Sequence, residues 1–141
     1  MTLALVQQIQ AFFLDFAKAD LNELVQLYSA DVHFTGPIHE FHGLNARVNY
    51  FQASRNNLAY CRFQFDRKII VEKEACFQWQ MFFAHPKIDN GADQVLRGST
   101  IILWSEKIEQ RDDFYDLGAM LYEHLPLLGW VTKKIKTGLA S

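Results

Sequence analysis

The sequence predicts an α+β domain, with N-terminal helices packed on one face of a cone-shaped, curved antiparallel sheet. Three observations carry this expectation. Apolar residues recur at helical spacing as far as Arg55, the period shortens to two between Tyr60 and Tyr115, and the helices precede the main strands instead of alternating with them. The 141 residues include no Pro/Gly/Ser-rich linker, long charge run or internal repeat. One domain over residues 1–141 is therefore expected.

Leu3, Val6, Ile9, Phe13, Phe16 and Ala17 make a broad apolar face, which predicts an amphipathic helix from Met1 to Ala19. Asp20 follows as an N-cap with Glu23 as its capping partner, and Leu21, Leu24, Val25, Leu27 and Tyr28 continue as a short second helix. Val32 to Thr35 reads as a short strand. Gly36-Pro37 stops it, because proline has no backbone N–H and restricts the residue before it. The loop beyond carries His39 and His42. Gly43 then opens a third helix with Leu44, Val48 and Phe51 on one face, and Asn56-Asn57 closes it.

From Tyr60 to Val71, Cys61, Phe63, Phe65, Ile69 and Val71 take one side while Arg62, Gln64, Asp66 and Lys68 take the other, the pattern of a long half-buried strand. Glu72-Lys73-Glu74 turns the chain. Ala75, Phe77, Trp79, Met81, Phe83 and His85 then alternate with Cys76, Gln78 and Gln80. Asn90-Gly91 supports a second hairpin, and Gln94 to Trp104 and Lys107 to Tyr115 complete a four-stranded meander around the Ser105-Glu106 turn. Leu117 to Leu125 reads as a helix broken by Pro126 and Gly129. Trp130 to Lys136 forms an apolar tail with a basic end, expected to cover the mouth of the cone rather than to bind a membrane.

Half the residues are hydrophobic and 14% are aromatic, 12 of them Phe, which excludes disorder and low-complexity polymer. Fourteen Lys and Arg against 16 Asp and Glu leave a formal charge of −2. The broad positive field that phosphate backbones require is missing, so nucleic acid is not an expected partner. The N-terminal segment lacks a basic leader and spaces Gln7, Gln8, Gln10, Asp15 and Lys18 along a helix, unlike a signal peptide or a membrane span. A cytoplasmic location is expected. Cys61 and Cys76 have no zinc-like companions and fall far apart in the expected hairpin, so they read as core residues rather than a disulfide.

The helix end AKADLNELVQLYSADVHFTGP, the segment FHGLNARVNYF, and the strand EKIEQRDDFYD followed by LYEHLPLLGW resemble, in this order and over nearly the whole chain, the nuclear transport factor 2-like superfamily. The likeness is to its SnoaL-like and ketosteroid-isomerase-like branch. It implies the cystatin-like α+β roll of that superfamily, with a hollow for a small hydrophobic ligand. It does not imply one activity, since the fold hosts isomerases, cyclases, epoxide hydrolases, dehydratases and non-catalytic binding modules. In ketosteroid isomerases an Asp before the first-strand proline is the base, and here Gly36 stands there. Their oxyanion hole joins a first-helix tyrosine to a protonated Asp on a later strand. Phe12 takes the tyrosine position, and Gln94 to Trp104 holds no acidic residue. Ketosteroid-type isomerisation is not expected.

SnoaL-like polyketide cyclases carry an acidic residue on the final strand as the acid/base group of an aldol-type ring closure, and Asp113 matches that position. Arg111 stands where the family often has His. Strand alternation puts Glu109, Arg111, Asp113 and Tyr115 on one face, with Ile108, Gln110, Asp112 and Phe114 on the other. A carboxylate beside a cation favours its charged form while burial opposes it, so the Arg111–Asp113 pair can be tuned toward a working base. The same charges on an outer face are a solvated cluster worth roughly 0 to 1 kcal/mol. Both readings stand.

The expected pocket residues are Tyr50, Phe63, Trp79, Met81 and Tyr115, with His39 at the mouth. The same rings also suit a solid core between sheet and helices. No cofactor and no metal are expected: His39 and His42 sit three apart on a loop without fixed ligand geometry. Arg97 is either a pocket cation or an outward residue. The rival to a cofactor-free enzyme is a non-catalytic ligand-binding or assembly module. The resemblance implies a homodimer paired through the open sheet face, where Arg62, Gln64, Asp66, Gln78 and Gln80 would form a mixed polar interface.

Overall fold

The computed structural model describes residues 2–37, 39–55, 58–116, 118, 134, 135 and 137–139. Helix α1 (Thr2–Leu14) buries Val6, Ile9, Phe12 and Phe13 along one stripe. It ends sooner than its apolar pattern predicts, because the backbone leaves the helical region at Asp15 and Phe16–Lys18 forms a separate 3-10 turn. Asp20 caps the next turn as expected, accepting a hydrogen bond from the Asn22 N–H at 3.0 Å. Only a 3-10 turn (Leu21–Glu23) and the four-residue α2 (Leu24–Leu27) follow. Tyr28, expected in a helix, is instead the first residue of β1 (Tyr28–Thr35). Its ring is wanted in the core, 1% exposed, and strand pairing opposite Ile108 puts it there.

The stretch expected to be a loop contains a three-residue strand, β2 (Glu40–His42), paired antiparallel with β1. Gly43 makes the corner that follows. Its φ of +94° suits glycine, and its N–H reaches the Val32 carbonyl at 2.8 Å. Helix α3 (Leu44–Arg55) comes next, followed by β3 (Tyr60–Val71), β4 (Glu74–Ala84), β5 (Gln94–Trp104) and β6 (Ile108–Tyr115). The six strands form one curved, open sheet in the order β2-β1-β6-β5-β4-β3. The β1–β6 pairing is parallel and the other pairings are antiparallel. The predicted meander is therefore four strands of a larger sheet. The β1/β2 hairpin joins its far side.

Two bulges correct the predicted alternation. The β3–β4 register shifts between Phe65 and Arg67, so side chains beyond Asp66 change face. Ile70 then packs on the core and Lys68 reaches Gln10 of α1 at 3.4 Å, while Ile69 and Val71 are 56% and 61% exposed. The β5–β6 register shifts between Leu103 and Trp104, with Leu103 opposite Gln110 and Trp104 opposite Ile108. Ile108 is thereby fully buried. Glu109 turns outward to accept a hydrogen bond from the Ser105 hydroxyl at 2.7 Å, so it does not share the face of Arg111.

The core lies between the helices and the inner sheet face. Phe13 meets Phe63 edge-on at 5.3 Å, and Phe16 meets Phe51 at 5.1 Å. Each such buried ring contributes about 1.5–3 kcal/mol. Both cysteines are free. Cys61 lies opposite Phe83 on the inner face and Cys76 opposite Ile101 on the outer one, which rules out their pairing as folded. Apart from Gly118, the predicted Leu117–Leu125 helix falls outside the described residues, as does most of the tail from Trp130 to Lys136. No helix among the described residues is long and apolar enough to cross a membrane.

Candidate functional site

Beyond its bulge, β6 sends Arg111, Asp113 and Tyr115 toward the helices. Arg111 is 5% exposed, and the Asp113 side chain is 11% exposed. Register places Thr100 of β5 directly opposite Asp113. The Thr100 hydroxyl donates to Asp113 Oδ1 at 2.6 Å and accepts from Trp79 Nε1 at 2.9 Å. Arg111 Nε also donates to Asp113 Oδ1, at 3.1 Å, and its Nη1 donates to the Tyr28 hydroxyl at 2.7 Å. The Arg111 guanidinium lies 4.4 Å from the Phe13 ring centroid. The Trp79 indole owes its position to the residue across from it. A Cβ at Gly98 would stand 2.5 Å from Trp79 Cζ2 and 2.7 Å from the Phe114 carbonyl oxygen.

A second cation approaches from α3. Arg47 Nη2 is 3.6 Å from Asp113 Oδ2, and its guanidinium sits over Phe51 at 4.2 Å and Phe34 at 5.0 Å, with Tyr50 and Phe41 close by. Its Nε has no hydrogen-bond partner among the described residues. Two guanidiniums thus surround one carboxylate in an aromatic interior. Burial opposes the Arg111 charge, but Asp113 and the Tyr28 hydroxyl outweigh it and hold its pKa above the ordinary arginine value. For Arg47 burial prevails and lowers the pKa, with Asp113 opposing and Arg111 adding to the fall. Among the described residues the site carries a formal excess of one positive charge. Such an interior favours a ligand oxygen that is, or becomes, negative.

The predicted residues divide into two groups around this centre. Trp79 is buried and joins the polar network directly, and Phe63 packs edge-on against it at 5.1 Å. Met81, opposite Phe63 in the register, is partly buried farther along the same face. Tyr115 follows Asp113 on β6, half-buried, and burial pushes its phenol up to about 12. On the other side Tyr50 lies beside Arg47. His39 is exposed, its ring 4.8 Å from that of Tyr50. Among the described residues, the free space against Arg111 and Thr100 is about 10 Å³, lined also by Phe13, Phe63 and Trp79. That is room for about one water. Arg97 is exposed and points outward, opposite Gln80, which decides between its two readings.

Sequence reasoning missed Arg47, Thr100 and Tyr28. Arg47 left a readable trace: it falls between Leu44 and Phe51 on the apolar face of α3, where a lone charge needs a buried partner. Thr100 is the polar exception in the inward series Leu96, Thr100, Ile102 and Trp104 of β5. Tyr28 left none, since its strand begins inside a helical apolar pattern.

Helices laid across an open six-stranded sheet, with a small set of charges enclosed between them, define an α+β roll built around an interior site. The sequence profile of the SnoaL-like domain matches residues 9–106, and the chain belongs to this family. Solved structures share the fold. A nuclear transport factor 2-like protein of unknown function from Burkholderia pseudomallei superposes with a TM-score of 0.74 at 16% identity, over 85% of this chain and 94% of that one. A candidate SnoaL-like polyketide cyclase from Shewanella putrefaciens gives 0.72 at 12% identity, over 84% and 92%. A protein with a ketosteroid-isomerase-like fold from Catenulispora acidiphila, solved with trimethylamine, gives 0.71 at 12% identity, over 83% and 88%. No curated protein matches the chain.

Proposed function

We propose that this is a cytoplasmic SnoaL-like protein that binds a small apolar, carbonyl-bearing molecule and performs cofactor-free acid/base chemistry on it, of the isomerase or cyclase type. One observation carries the reading: Asp113 is held between Arg111 and Arg47 on the inner sheet face. Its Oδ1 is engaged by Arg111 Nε and the Thr100 hydroxyl, whereas among the described residues Oδ2 has the longer Arg47 contact. Oδ2 is thus the oxygen that takes and returns the substrate proton. Arg111 orients the carboxylate. Arg47, with the surplus charge, stabilises the enolate oxygen that forms. Phe63 and Trp79, which line the water-sized space beside Arg111, part with Tyr50, Met81 and Tyr115 to admit the carbon skeleton, and His39 flanks the way in. The cyclase name of structural neighbours supports the class of reaction.

The test is hydrogen–deuterium exchange next to the carbonyl, followed by NMR over a panel of aromatic and polycyclic ketones. Wild-type protein is expected to accelerate exchange for at least one compound, and Asp113→Asn to lose roughly 100-fold or more of that rate. An Asp113→Asn protein that exchanges as fast as wild type removes Asp113 from the chemistry.

A second reading, a dimeric assembly module, has its own support. The free space beside Arg111 is small, and the outer sheet face is less polar than predicted. Ile69, Val71, Val95 and Phe114 stand there more than half exposed, among Gln64, Gln78 and Gln80. Light scattering on wild type and Phe114→Lys tests it, a dimer that dissociates in the variant being the expected outcome.

A further inference from the structure

The β1/β2 hairpin brings three chemically matched side chains together on the sheet face opposite the acid–arginine site. Register pairs His33 with His42 and Thr35 with Glu40, so His33, Glu40 and His42 project from one face while Phe34 and Phe41 point inward to Arg47. Glu40 Oε1 lies 2.8 Å from His33 Nε2 and 3.2 Å from His42 Nε2. The two imidazoles stack with centroids 4.3 Å apart and planes 13° from parallel, which turns both Nε2 atoms toward the same carboxylate oxygen. The donor atoms all lie within 4.8 Å of one another.

We propose that His33, Glu40 and His42 bind a divalent transition-metal ion of the zinc and copper class. Around a tetrahedral ion with bonds of about 2.0–2.2 Å, donor atoms stand roughly 3.3–3.6 Å apart. The two carboxylate–imidazole spacings lie close to that range, and the nearly parallel rings must turn so that both Nε2 lone pairs converge on the ion. Two imidazoles and one carboxylate suit zinc, copper or nickel and not the all-oxygen preference of magnesium or calcium. The exposure of the three side chains, 38%, 56% and 76%, leaves water free to complete the coordination sphere. The ion acts as a clip. It ties the three-residue edge strand β2 to β1, and β2 leads through Gly43 into the helix that carries Arg47. The site therefore steadies one wall of the interior without touching Asp113.

Calorimetric titration of the full chain with zinc chloride, in a non-chelating buffer near neutral pH, tests the proposal. One ion per chain is expected. His33→Ala/His42→Ala is expected to weaken binding at least 100-fold, and Glu40→Gln roughly tenfold, while His85→Ala, whose ring caps the Lys87 N–H, binds as wild type does. The wild type supplies a readout that does not depend on the variants folding: one equivalent of zinc should shift the ring resonances of two histidines in its NMR spectrum. Binding that survives the double substitution, an absence of saturable binding at millimolar zinc, or unmoved histidine resonances would each overturn it.

Discussion

Replacing Asp113 by Asn removes the single negative charge between two enclosed guanidiniums at nearly constant volume. In the native chain the carboxylate is 11% exposed and receives hydrogen bonds from Thr100 at 2.6 Å and Arg111 at 3.1 Å, with Arg47 at 3.6 Å. Taking one partner from a buried ion pair costs about 3–5 kcal/mol, because the remaining charge stays buried and uncompensated. Asn keeps an acceptor for Thr100 and Arg111, which places the expected loss near the lower end, about 3 kcal/mol. For a domain of this size each kcal/mol moves Tm by roughly 2–4 °C, so Asp113→Asn should melt about 6–12 °C lower. Urea denaturation and calorimetry measure both quantities. Adding Arg111→Met to the variant should recover part of the loss, with a coupling energy of about 0.5–3 kcal/mol. If Asp113→Asn costs under about 0.5 kcal/mol and the two substitutions add without coupling, the carboxylate is solvated and the reasoning about the buried network fails.

Arg47 should behave in the opposite way. Burial lowers its pKa, its Nε has no partner among the described residues, and Asp113 keeps Arg111 and Thr100 without it, so Arg47→Met is expected to leave stability within about 1 kcal/mol or to raise it, while the exchange activity proposed above falls; a large loss of stability would show Arg47 to be structural. Gly98→Ala drives a Cβ into Trp79 and the Phe114 carbonyl. It should cost about 1–3 kcal/mol, with a shift in tryptophan fluorescence as the indole leaves Thr100, and a neutral result would contradict the packing described. Burial raises the Tyr115 phenol from 10.0 to about 12. The unfolded chain therefore loses this proton first, and the associated stability, complete below pH 10, should decline as pH rises toward 12. Absorbance titration should show a late-ionising tyrosine component that Tyr115→Phe removes, and an unchanged titration curve in that variant would refute the assignment.

Much of the sheet was legible because strand alternation is local. The boundaries of Tyr60–Val71 and Gln94–Trp104 agree with the structure, and the same reasoning put Arg111 and Asp113 on one face. It failed where one added residue resets the count, at Asp66 and at Glu109, since nothing in composition marks a bulge before the partner strand is known. It failed also at β2, whose three residues are too few to display a period, and which becomes a strand by pairing with β1.

From the order of its residues alone, the chain set its class, its long strands and the shared face of Arg111 and Asp113 on its last strand, because these follow from the spacing of neighbours. Which polar groups meet inside was decided by the tertiary fold. Tyr28, Arg47, Thr100 and Asp113 come from four elements and converge only when β1 runs parallel to β6 and α3 crosses above them. A charge on a helix and a hydroxyl on a strand gain chemical meaning through distance, and distance between remote residues is a property of packing.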